Sequence, residues 1–237
     1  MSGVFKFKQF DVDQTGCAMK INTDGVLLGA LADADDPKTI LDIGTGTGVI
    51  ALMLAQRFKD AQVDAVEIDE QAAETAARNF KTSLFADRLE LYSRSFECFF
   101  DSNPKKKYDL IVSNPPFYIN SLESPRKNKK VAKHADKEFF ERLINGSLHH
   151  FTPKGVLCLI LPNDTAKLVR EIAIVNGLFL NGQTAILSYD YSEPHRQILF
   201  LSSIERQIRT NRLAIYKTPK VYSEEYQATL KDFFTIF

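Results

Sequence analysis

Apolar residues in this chain form two kinds of pattern, and the two kinds alternate along the sequence. Short apolar runs predict buried strands, and they lie at 39–43, 63–68, 89–92, 108–113, 156–161, 178–188, 196–202 and 213–217. Apolar positions with helical spacing predict helices at about 24–32, 48–58, 70–82, 137–150 and 163–175, and from 223 onwards. Strands that alternate with helices predict an α/β protein with a doubly wound, Rossmann-like and mostly parallel sheet that carries helices on both faces.

Polar residues at the element boundaries predict where three of these helices begin. Thr23, Asn163 and Ser223 are each placed to cap a helix, because their side chains can accept hydrogen bonds from the free N–H groups of the first turn. No repeat and no linker rich in Gly and Ser interrupts the pattern. We therefore expect residues 1–237 to form a single domain with a short strand and helix extension at about 1–35.

Composition narrows the class of protein. The chain has 237 residues, of which 44% are hydrophobic, but no run of 18 apolar residues predicts a membrane span. The first residues lack the apolar segment of a secretory signal. Three cysteines without a C-x-x-C pair and four histidines without ligand spacing indicate reduced thiols, a cytoplasmic location and no metal site.

A glycine loop follows the strand at 39–43. Gly44, Gly46 and Gly48 alternate with other residues, and Asp42 lies two positions before the first glycine. Glycines let the backbone approach a ligand closely, because they carry no Cβ atom. This spacing differs from the dinucleotide fingerprint and favours S-adenosylmethionine as the cofactor. All four residues are therefore predicted to bind it.

The carboxyl end of the next strand supplies an acidic residue. Glu67 lies 67 − 44 = 23 residues after Gly44, where a carboxylate can accept hydrogen bonds from both ribose hydroxyls of a bound nucleoside. Ile68 follows it and is predicted to contact the cofactor as well. By itself, an acidic residue at the end of a strand is typical of a solvated surface. The cofactor role of Glu67 is favoured because the glycine loop lies at the expected distance before it.

Asn114-Pro115-Pro116-Phe117 follows the strand at 108–113 and is the second candidate site. The prolines fix the backbone and remove N–H donors, so the local acceptors meet no competing donor. The amide oxygen of Asn114 and a nearby carbonyl can accept both hydrogens of an exocyclic amine, and Phe117 offers a face on which its ring can stack. The alternative interpretation is a stiff turn after a strand.

Charge gives mixed information about nucleic acid. Thirty basic and thirty acidic side chains cancel, which argues mildly against a general nucleic-acid binder. A run of basic residues at 126–133, which contains no acidic residue, nevertheless follows the Asn114 loop. Two lysines also alternate with phenylalanines near the N-terminus. The predicted RNA-binding residues are Arg126, Lys127, Lys129, Lys130 and Lys133 in the run, and Lys6 and Lys8 near the start. A solvated face is the default interpretation of any one lysine run.

Nearly the whole chain resembles the bacterial tRNA(Val) adenine N6-methyltransferase family, which methylates adenine 37 beside the anticodon. The glycine loop, Glu67 and the Asn114 loop resemble the motifs of class I amino methyltransferases. The more specific likeness is carried by the segments 5–10, 17–20, 23–25, 27–29, 51–56, 65–69, 86–88, 194–196 and 222–226.

The resemblance implies a seven-stranded methyltransferase sheet with one antiparallel strand, S-adenosylmethionine as the cofactor and tRNA as the partner of a monomeric enzyme. It also implies that the turn at Thr23 contacts the methionine end of the cofactor. Many relatives bind the cofactor's adenine with an aspartate after the third strand. Here Ser95 takes that place, and a hydroxyl accepts one hydrogen bond without a charge.

Three other functions remain compatible with these motifs. A DNA adenine N6-methyltransferase would use the same pocket, although the chain leaves little room for a separate domain that reads sequence. A protein glutamine N5-methyltransferase shares the Asn-Pro-Pro-aromatic motif but needs no cavity of nucleobase size. The alternative without catalysis is a cofactor-binding RNA scaffold, against which the intact Asn114 motif argues.

Overall fold

The computed structural model describes residues 3–116 and 129–237, and for residues 129–134 it describes the backbone alone. The strands are β1 (Val4–Lys6), β2 (Asp11–Asp13), β3 (Thr39–Ile43), β4 (Gln62–Glu67), β5 (Leu89–Ser93), β6 (Tyr108–Ser113), β7 (Phe151–Pro162), β8 (Phe179–Tyr189), β9 (Pro194–Ser202), β10 (Arg209–Thr218) and β11 (Val221–Tyr222). The α-helices are α1 (Thr23–Leu31), α2 (Val49–Arg57), α3 (Glu70–Thr82), α4 (Phe96–Ser102), α5 (Lys129–His149), α6 (Asn163–Val175) and α7 (Glu224–Leu230).

The main sheet has the strand order β11-β10-β8-β9-β7-β6-β3-β4-β5. Strands β5, β4, β3, β6 and β7 are parallel, and β9 is antiparallel to both of its neighbours. The seven strands from β5 to β8 form the predicted methyltransferase sheet. Strands β10 and β11 extend it by two in the described part of the chain, so the sheet is larger than the seven strands we expected.

The strand order reverses between β3 and β6, because the chain passes from β3 to β4 on one side and returns to β6 on the other. In open parallel sheets of this kind, ligands bind beyond the carboxyl ends of the strands at the point of reversal. The fold therefore brings the loops after β3, β4 and β6 to one edge, which we call the carboxyl edge.

Both faces of the sheet are covered by apolar helices. Leu28 of α1 and Leu52 of α2 are fully buried on one face, and Phe99 of α4 and Leu143 of α5 are fully buried on the other. Burial on both sides explains why β3 and β6 read as nearly continuous apolar runs rather than as alternating ones. Within the described residues, no helix is long and apolar enough to cross a bilayer.

The first described residues form a hairpin, which supplies the strand of the predicted extension. Strands β1 and β2 pair antiparallel as a separate two-stranded sheet, and Phe7 bridges to Phe234. The Lys8 ammonium donates a hydrogen bond to the Phe237 carbonyl oxygen at 2.9 Å and another to that of Lys231. The hairpin is therefore fixed to the residues that follow α7. The assignment of 1–237 to one domain stays a prediction.

One of the three predicted helix caps is confirmed and two are wrong. Ser223 caps α7, because its hydroxyl accepts a hydrogen bond from the Tyr226 N–H at 3.0 Å. Asn22 caps α1 instead of Thr23, since the Asn22 Oδ1 atom accepts from the Gly25 N–H at 2.9 Å. Asn163 is already the first helical residue of α6, and its side chain donates to the Pro194 carbonyl across the sheet edge.

Candidate active site

The glycine loop forms an open concavity at the end of β3. Gly44 and Gly46 have positive φ angles of 72° and 57°, a conformation that side chains with a Cβ atom rarely adopt. A Cβ atom built on either residue would meet nothing within 4 Å. These two glycines thus combine backbone curvature with empty space above the loop, as a closely bound ligand requires.

Gly48 has a different role from the other two glycines. Its φ angle is also positive, at 84°. A Cβ atom there would lie 2.5 Å from the Cε1 atom of Phe80 on α3, which is closer than real contacts allow. Gly48 therefore lets α2 and α3 pack together, and in this structure it faces protein rather than the space above the loop.

Glu67 holds the loop in place. Its Oε2 atom accepts a hydrogen bond from the Gly46 N–H at 2.8 Å, and its Oε1 atom accepts one from the Asp69 N–H at 2.9 Å. Each carboxylate oxygen can accept a second hydrogen bond, so both remain able to bind hydroxyl groups. Ile68, the next residue, is 71% exposed and presents an apolar surface beside this carboxylate.

Asp42 lies beneath the loop and is fully buried. Its Oδ2 atom accepts a hydrogen bond from the Thr45 hydroxyl at 2.6 Å. Its Oδ1 atom has no hydrogen bond of normal geometry to the described residues. Burial raises the pKa of Asp42 to about 7, although the Thr45 hydroxyl and the nearby Ala51 N–H lower it. Asp42 thus acts on the loop from below rather than facing a ligand.

Asn114 lies beside the glycine loop, because the ends of β6 and β3 are tied together. Ser113 pairs with Ile43 in the sheet, and its hydroxyl donates to the Ile43 carbonyl oxygen at 2.8 Å. The Oδ1 atom of Asn114 is buried and has no partner among the described residues. Its Nδ2 atom lies 3.9 Å from the position that a Cβ atom of Gly25 would take. A buried amide oxygen is therefore available as an acceptor next to the concavity.

Part of the predicted target and RNA site lies outside the described residues. Pro115 is buried and Pro116 exposed, whereas Phe117, Arg126 and Lys127 are not among the described residues. The remaining cations of the basic run lie on the first turns of α5, where only the backbone is described; they are Lys129, Lys130 and Lys133.

Four further predicted residues have different surroundings. Thr23 is the first residue of α1. The Ser95 hydroxyl accepts a hydrogen bond from the Cys98 N–H at 3.2 Å and caps α4, which occupies one of its acceptor positions. Lys6 is exposed on β1, whereas Lys8 is engaged by backbone carbonyls. RNA binding by Lys6 and Lys8 stays a prediction.

An ion pair at this edge was not predicted from the sequence. Arg196 at the start of β9 donates from Nε to the Asp24 Oδ2 atom at 2.8 Å, and both side chains are largely buried. Asp24 adjoins Gly25, so the pair anchors the first turn of α1 next to Asn114. The segment 194–196 contributed to the family resemblance, which is the one signal that could have pointed to it. Asp24 and Arg196 are 172 residues apart, so no local sequence pattern indicates that they form a pair.

The sheet order, the glycine loop after β3 and the Asn-Pro-Pro loop after β6 together define a Rossmann-like methyltransferase. A family model for the methyltransferase small domain matches residues 17–173. The chain is 47% identical to a tRNA1(Val) (adenine(37)-N6)-methyltransferase from Pedobacter heparinus, with 100% of both chains covered. It is 40% identical to a protein of the same name from Porphyromonas gingivalis, with 98% of this chain and 95% of that one covered.

The chain therefore belongs to the methyltransferase small-domain family and, within it, to the family of the tRNA1(Val) (adenine(37)-N6)-methyltransferases. Solved structures support the fold. A predicted O-methyltransferase from Agrobacterium tumefaciens superposes with a TM-score of 0.67 at 18% identity, covering 89% of this chain and 96% of that one. TrmN from Thermus thermophilus superposes with a TM-score of 0.57 at 21% identity, covering 76% and 48%.

Proposed function

We propose that this chain transfers a methyl group from S-adenosylmethionine to the exocyclic N6 atom of an adenine in tRNA, namely adenine 37 of tRNA(Val). The observation that carries the proposal is the buried amide oxygen of Asn114, which has no partner among the described residues and lies beside the glycine loop. The substrate is supported by relatives that carry this activity in their names and match the chain over its full length.

The residues at the carboxyl edge fit this cofactor. Gly44 and Gly46 leave space above the loop that any Cβ atom would fill. Glu67 presents a carboxylate whose oxygens can accept ribose hydroxyls. Ile68 is exposed and apolar, as a surface against the adenine ring requires. Thr23, Ser95 and Asn114 complete the proposed cofactor contacts, and Asp42 and Gly48 support the loop from within.

When bound, S-adenosylmethionine supplies an electrophilic methyl group on a sulfonium. The chain's own contribution is to position the amine. An exocyclic aromatic amine is a weak nucleophile, because its lone pair is delocalised into the ring. Acceptance of its two hydrogens by the Asn114 Oδ1 atom and the Pro115 carbonyl oxygen favours a pyramidal nitrogen with a directed lone pair. Orientation of this kind supplies much of the acceleration, and no protein base needs to remove a proton before the transfer.

Recognition of the RNA is proposed to involve two further groups of residues. Phe117 would stack on the flipped adenine, a contact worth about 1–3 kcal/mol. The basic run and Lys6 would contact phosphates, and each such contact steepens the salt dependence of binding by about 0.7–0.9 in the log–log slope. Replacement of Lys127, Lys129, Lys130 and Lys133 with Ala should therefore weaken tRNA binding and flatten that slope. An unchanged slope would return these residues to the role of a solvated surface.

The remaining properties follow from this function. A tRNA-modifying enzyme acts where tRNA is, so we propose a cytoplasmic monomer that binds tRNA, inserts into no membrane and uses no metal. Within the described residues, no group of three or more His, Cys, Asp or Glu side chains is arranged to hold a metal ion. A chelator should therefore leave the activity unchanged.

Labelled S-adenosylmethionine offered with separate pools of tRNA, DNA and protein tests the proposal. N6-methyladenine in tRNA, absent with the Asn114→Ala variant, is the expected result. Label in DNA adenine or in a glutamine side chain would establish one of the rival activities instead. Calorimetric binding of the demethylated cofactor without transfer to any pool would identify a scaffold.

A further inference from the structure

Five tyrosines form a continuous strip across the ends of β8, β10 and β11. The ring centroids of Tyr189 and Tyr191 are 5.3 Å apart with the planes inclined by 4°. Tyr189 is 5.9 Å from Tyr216, which stacks on Tyr222 at 5.3 Å, and Tyr222 stacks on Tyr226 at 5.0 Å. We call these residues the tyrosine strip. Tyr226 on α7 is buried, and Tyr191 at the opposite end is 81% exposed.

The exposed end of the strip is held by its neighbours rather than left free. Tyr191 lies in the turn between β8 and β9, where the Ser192 N–H donates to the Tyr189 carbonyl oxygen at 2.9 Å. Arg212 on β10 donates to the Asp190 backbone carbonyl and pairs with the Asp190 carboxylate at 3.1 Å. Tyr191 stacks one face on Tyr189 and is 81% exposed, so the rest of its ring is available to another flat ring.

A groove of about 520 Å3 adjoins the buried end of the strip. This aromatic groove is lined by Phe5, Lys6, Asn22, Thr23, Tyr222 and Phe234, among others. Its size falls within the range of ligand-binding pockets. Its walls combine aromatic rings with one ammonium group.

The groove shares a wall with the proposed target pocket. Asn22 lines the groove, and its Oδ1 atom accepts the Gly25 N–H at 2.9 Å. A Cβ atom at Gly25 would lie 3.5 Å from that oxygen and 3.9 Å from the Asn114 Nδ2 atom. The first turn of α1 therefore separates the groove from Asn114 by the width of one backbone turn. The Arg196–Asp24 pair holds this turn against the strand that begins just after the Tyr191 loop.

The chemistry of this surface fits an unpaired strand of nucleic acid. Nucleobases have flat apolar faces that stack on aromatic rings, and their phosphates attract ammonium groups. Lys6 lines the groove and is exposed, and in the described part of the chain it forms no ion pair. Lys220, two residues before Tyr222, is also exposed and without an ion pair there, whereas Lys217 pairs with Glu224. A paired duplex hides its base faces, so it offers nothing for an exposed tyrosine to stack on.

We propose that the tyrosine strip and the aromatic groove bind the unpaired nucleotides next to the target adenine, with one base stacked on Tyr191 and another held in the groove. This inference rests on the proposed function, since it assumes that the target lies in an RNA loop. It assigns substrate recognition to a surface on the opposite side of Asn114 from the cofactor loop.

A tryptophan reporter tests the stacking directly, because the chain contains no Trp. Tyr191→Trp keeps an aromatic face and should show quenched emission when a stem-loop RNA with an unpaired loop is added. Phe179→Trp is the matched control, because Phe179 is 39% exposed at the opposite end of the same strand, β8. Its emission should not change. A blunt duplex with the sequence of the stem should quench neither variant.

Affinity measurements add a second readout. Tyr191→Ala should weaken binding of the stem-loop about tenfold, within the range for loss of one stacked base, and Tyr191→Phe should bind like the wild type. The salt slope of Tyr191→Ala should match that of the wild type, since stacking releases no counterions. Leu84→Ala, at another residue that is 78% exposed, should leave the affinity unchanged.

Two outcomes separate this inference from the proposed function. If the wild type forms N6-methyladenine in the stem-loop while Tyr191→Trp stays unquenched and Tyr191→Ala binds normally, the inference is overturned and the function stands. If no RNA becomes methylated, the proposed function fails, and the assignment of the strip to a methylated strand fails with it.

Discussion

The two halves of the carboxyl edge are built differently. On the cofactor side, both oxygens of Glu67 accept backbone N–H groups, and the Asp42 carboxyl accepts the Thr45 hydroxyl. On the substrate side, the amide oxygen of Asn114 is buried and has no partner among the described residues. On the cofactor side, three of these four carboxylate oxygens are tied to the fold, and the exception, the Asp42 Oδ1 atom, lies beneath the loop; on the substrate side, the free acceptor lies beside the concavity.

This difference indicates which half of the site already has its hydrogen bonds formed before a ligand binds. A buried acceptor without a partner costs about 1–3 kcal/mol, so the free oxygen of Asn114 destabilises the folded chain until a donor reaches it. An amine that supplies this donor removes the cost when it binds. The cofactor loop, by contrast, is preorganised by folding, and its substitution should affect stability and cofactor affinity together.

The largest expected effect concerns the buried carboxyl beneath the cofactor loop. Because burial raises the pKa of Asp42 to about 7, the folded chain holds this proton more tightly than the unfolded chain does. The corresponding stability is fully present below about pH 4 and is lost as the pH rises through about 7. Asp42→Asn should abolish this loss, so its stability relative to the wild type should rise with pH, by at most about 4 kcal/mol.

Denaturant unfolding of both proteins from pH 4 to pH 8 measures this difference. The Thr45 hydroxyl can still donate to the amide oxygen of Asn, so the hydrogen bond itself is preserved. A stability difference that does not depend on pH would show that Asp42 is ionised throughout this range.

Gly48→Ala should lower the stability by about 3 kcal/mol, the sum of left-handed strain and overpacking against Phe80. Gly44→Ala is the matched control, because its φ is also positive but its Cβ atom would meet no neighbour. It should cost only the strain and should instead weaken binding of S-adenosylhomocysteine. Thermal unfolding and calorimetry on both variants distinguish the two glycines, and equal losses of stability would contradict the distinction.

Asn114→Ala should lower the rate of methyl transfer by about 100-fold or more, because Asn114 acts mainly in the transition state. Cofactor affinity should hardly change, and thermal stability should not fall, since the amide oxygen has no partner to lose and its removal ends the cost of an unsatisfied buried acceptor. Asn79→Ala is the control: Asn79 is buried and fully hydrogen-bonded to Asp13 and Thr47, so its loss should destabilise the chain. Near-normal turnover of Asn114→Ala would exclude the amine-acceptor role.

Glu67→Ala should weaken the binding of S-adenosylhomocysteine by about 1–3 kcal/mol, through lost hydrogen bonds to a charged acceptor. Calorimetry measures this change. Glu74→Ala, an exposed acidic residue on the adjacent helix α3, should leave the affinity unaltered. If both variants bind the cofactor like the wild type, Glu67 supports the loop alone and has no part in ribose recognition.

Much of the fold could be predicted from the sequence because it depends on local patterns. The apolar runs at 39–43 and 108–113 became β3 and β6, since a strand buried on both faces needs side chains of this kind throughout. The lengths and caps of helices were less predictable. Asn22 and Thr23 are both good caps, and only the folded chain shows that the Asn22 side chain accepts the Gly25 N–H.

The residues of the site could also be identified from the sequence, but the separate role of each residue could not. Three glycines with the same spacing look alike, and only Phe80, 32 residues further on, separates the role of Gly48 from those of Gly44 and Gly46. Lys8 reads as a free cation, yet it lies within reach of carbonyls more than 200 residues away.

The sequence by itself determined most of the strand and helix order, without β2, α4 and β11, and it determined the glycine loop and the Asn-Pro-Pro loop, because backbone preference and side-chain chemistry act over a few residues. Tertiary structure alone decided the Arg196–Asp24 pair, the tyrosine strip and the unpartnered oxygen of Asn114. These features depend on which distant residues the sheet order brings within a few ångströms of each other. Contacts at that range leave no periodic trace along the chain, so folding must take place before they exist.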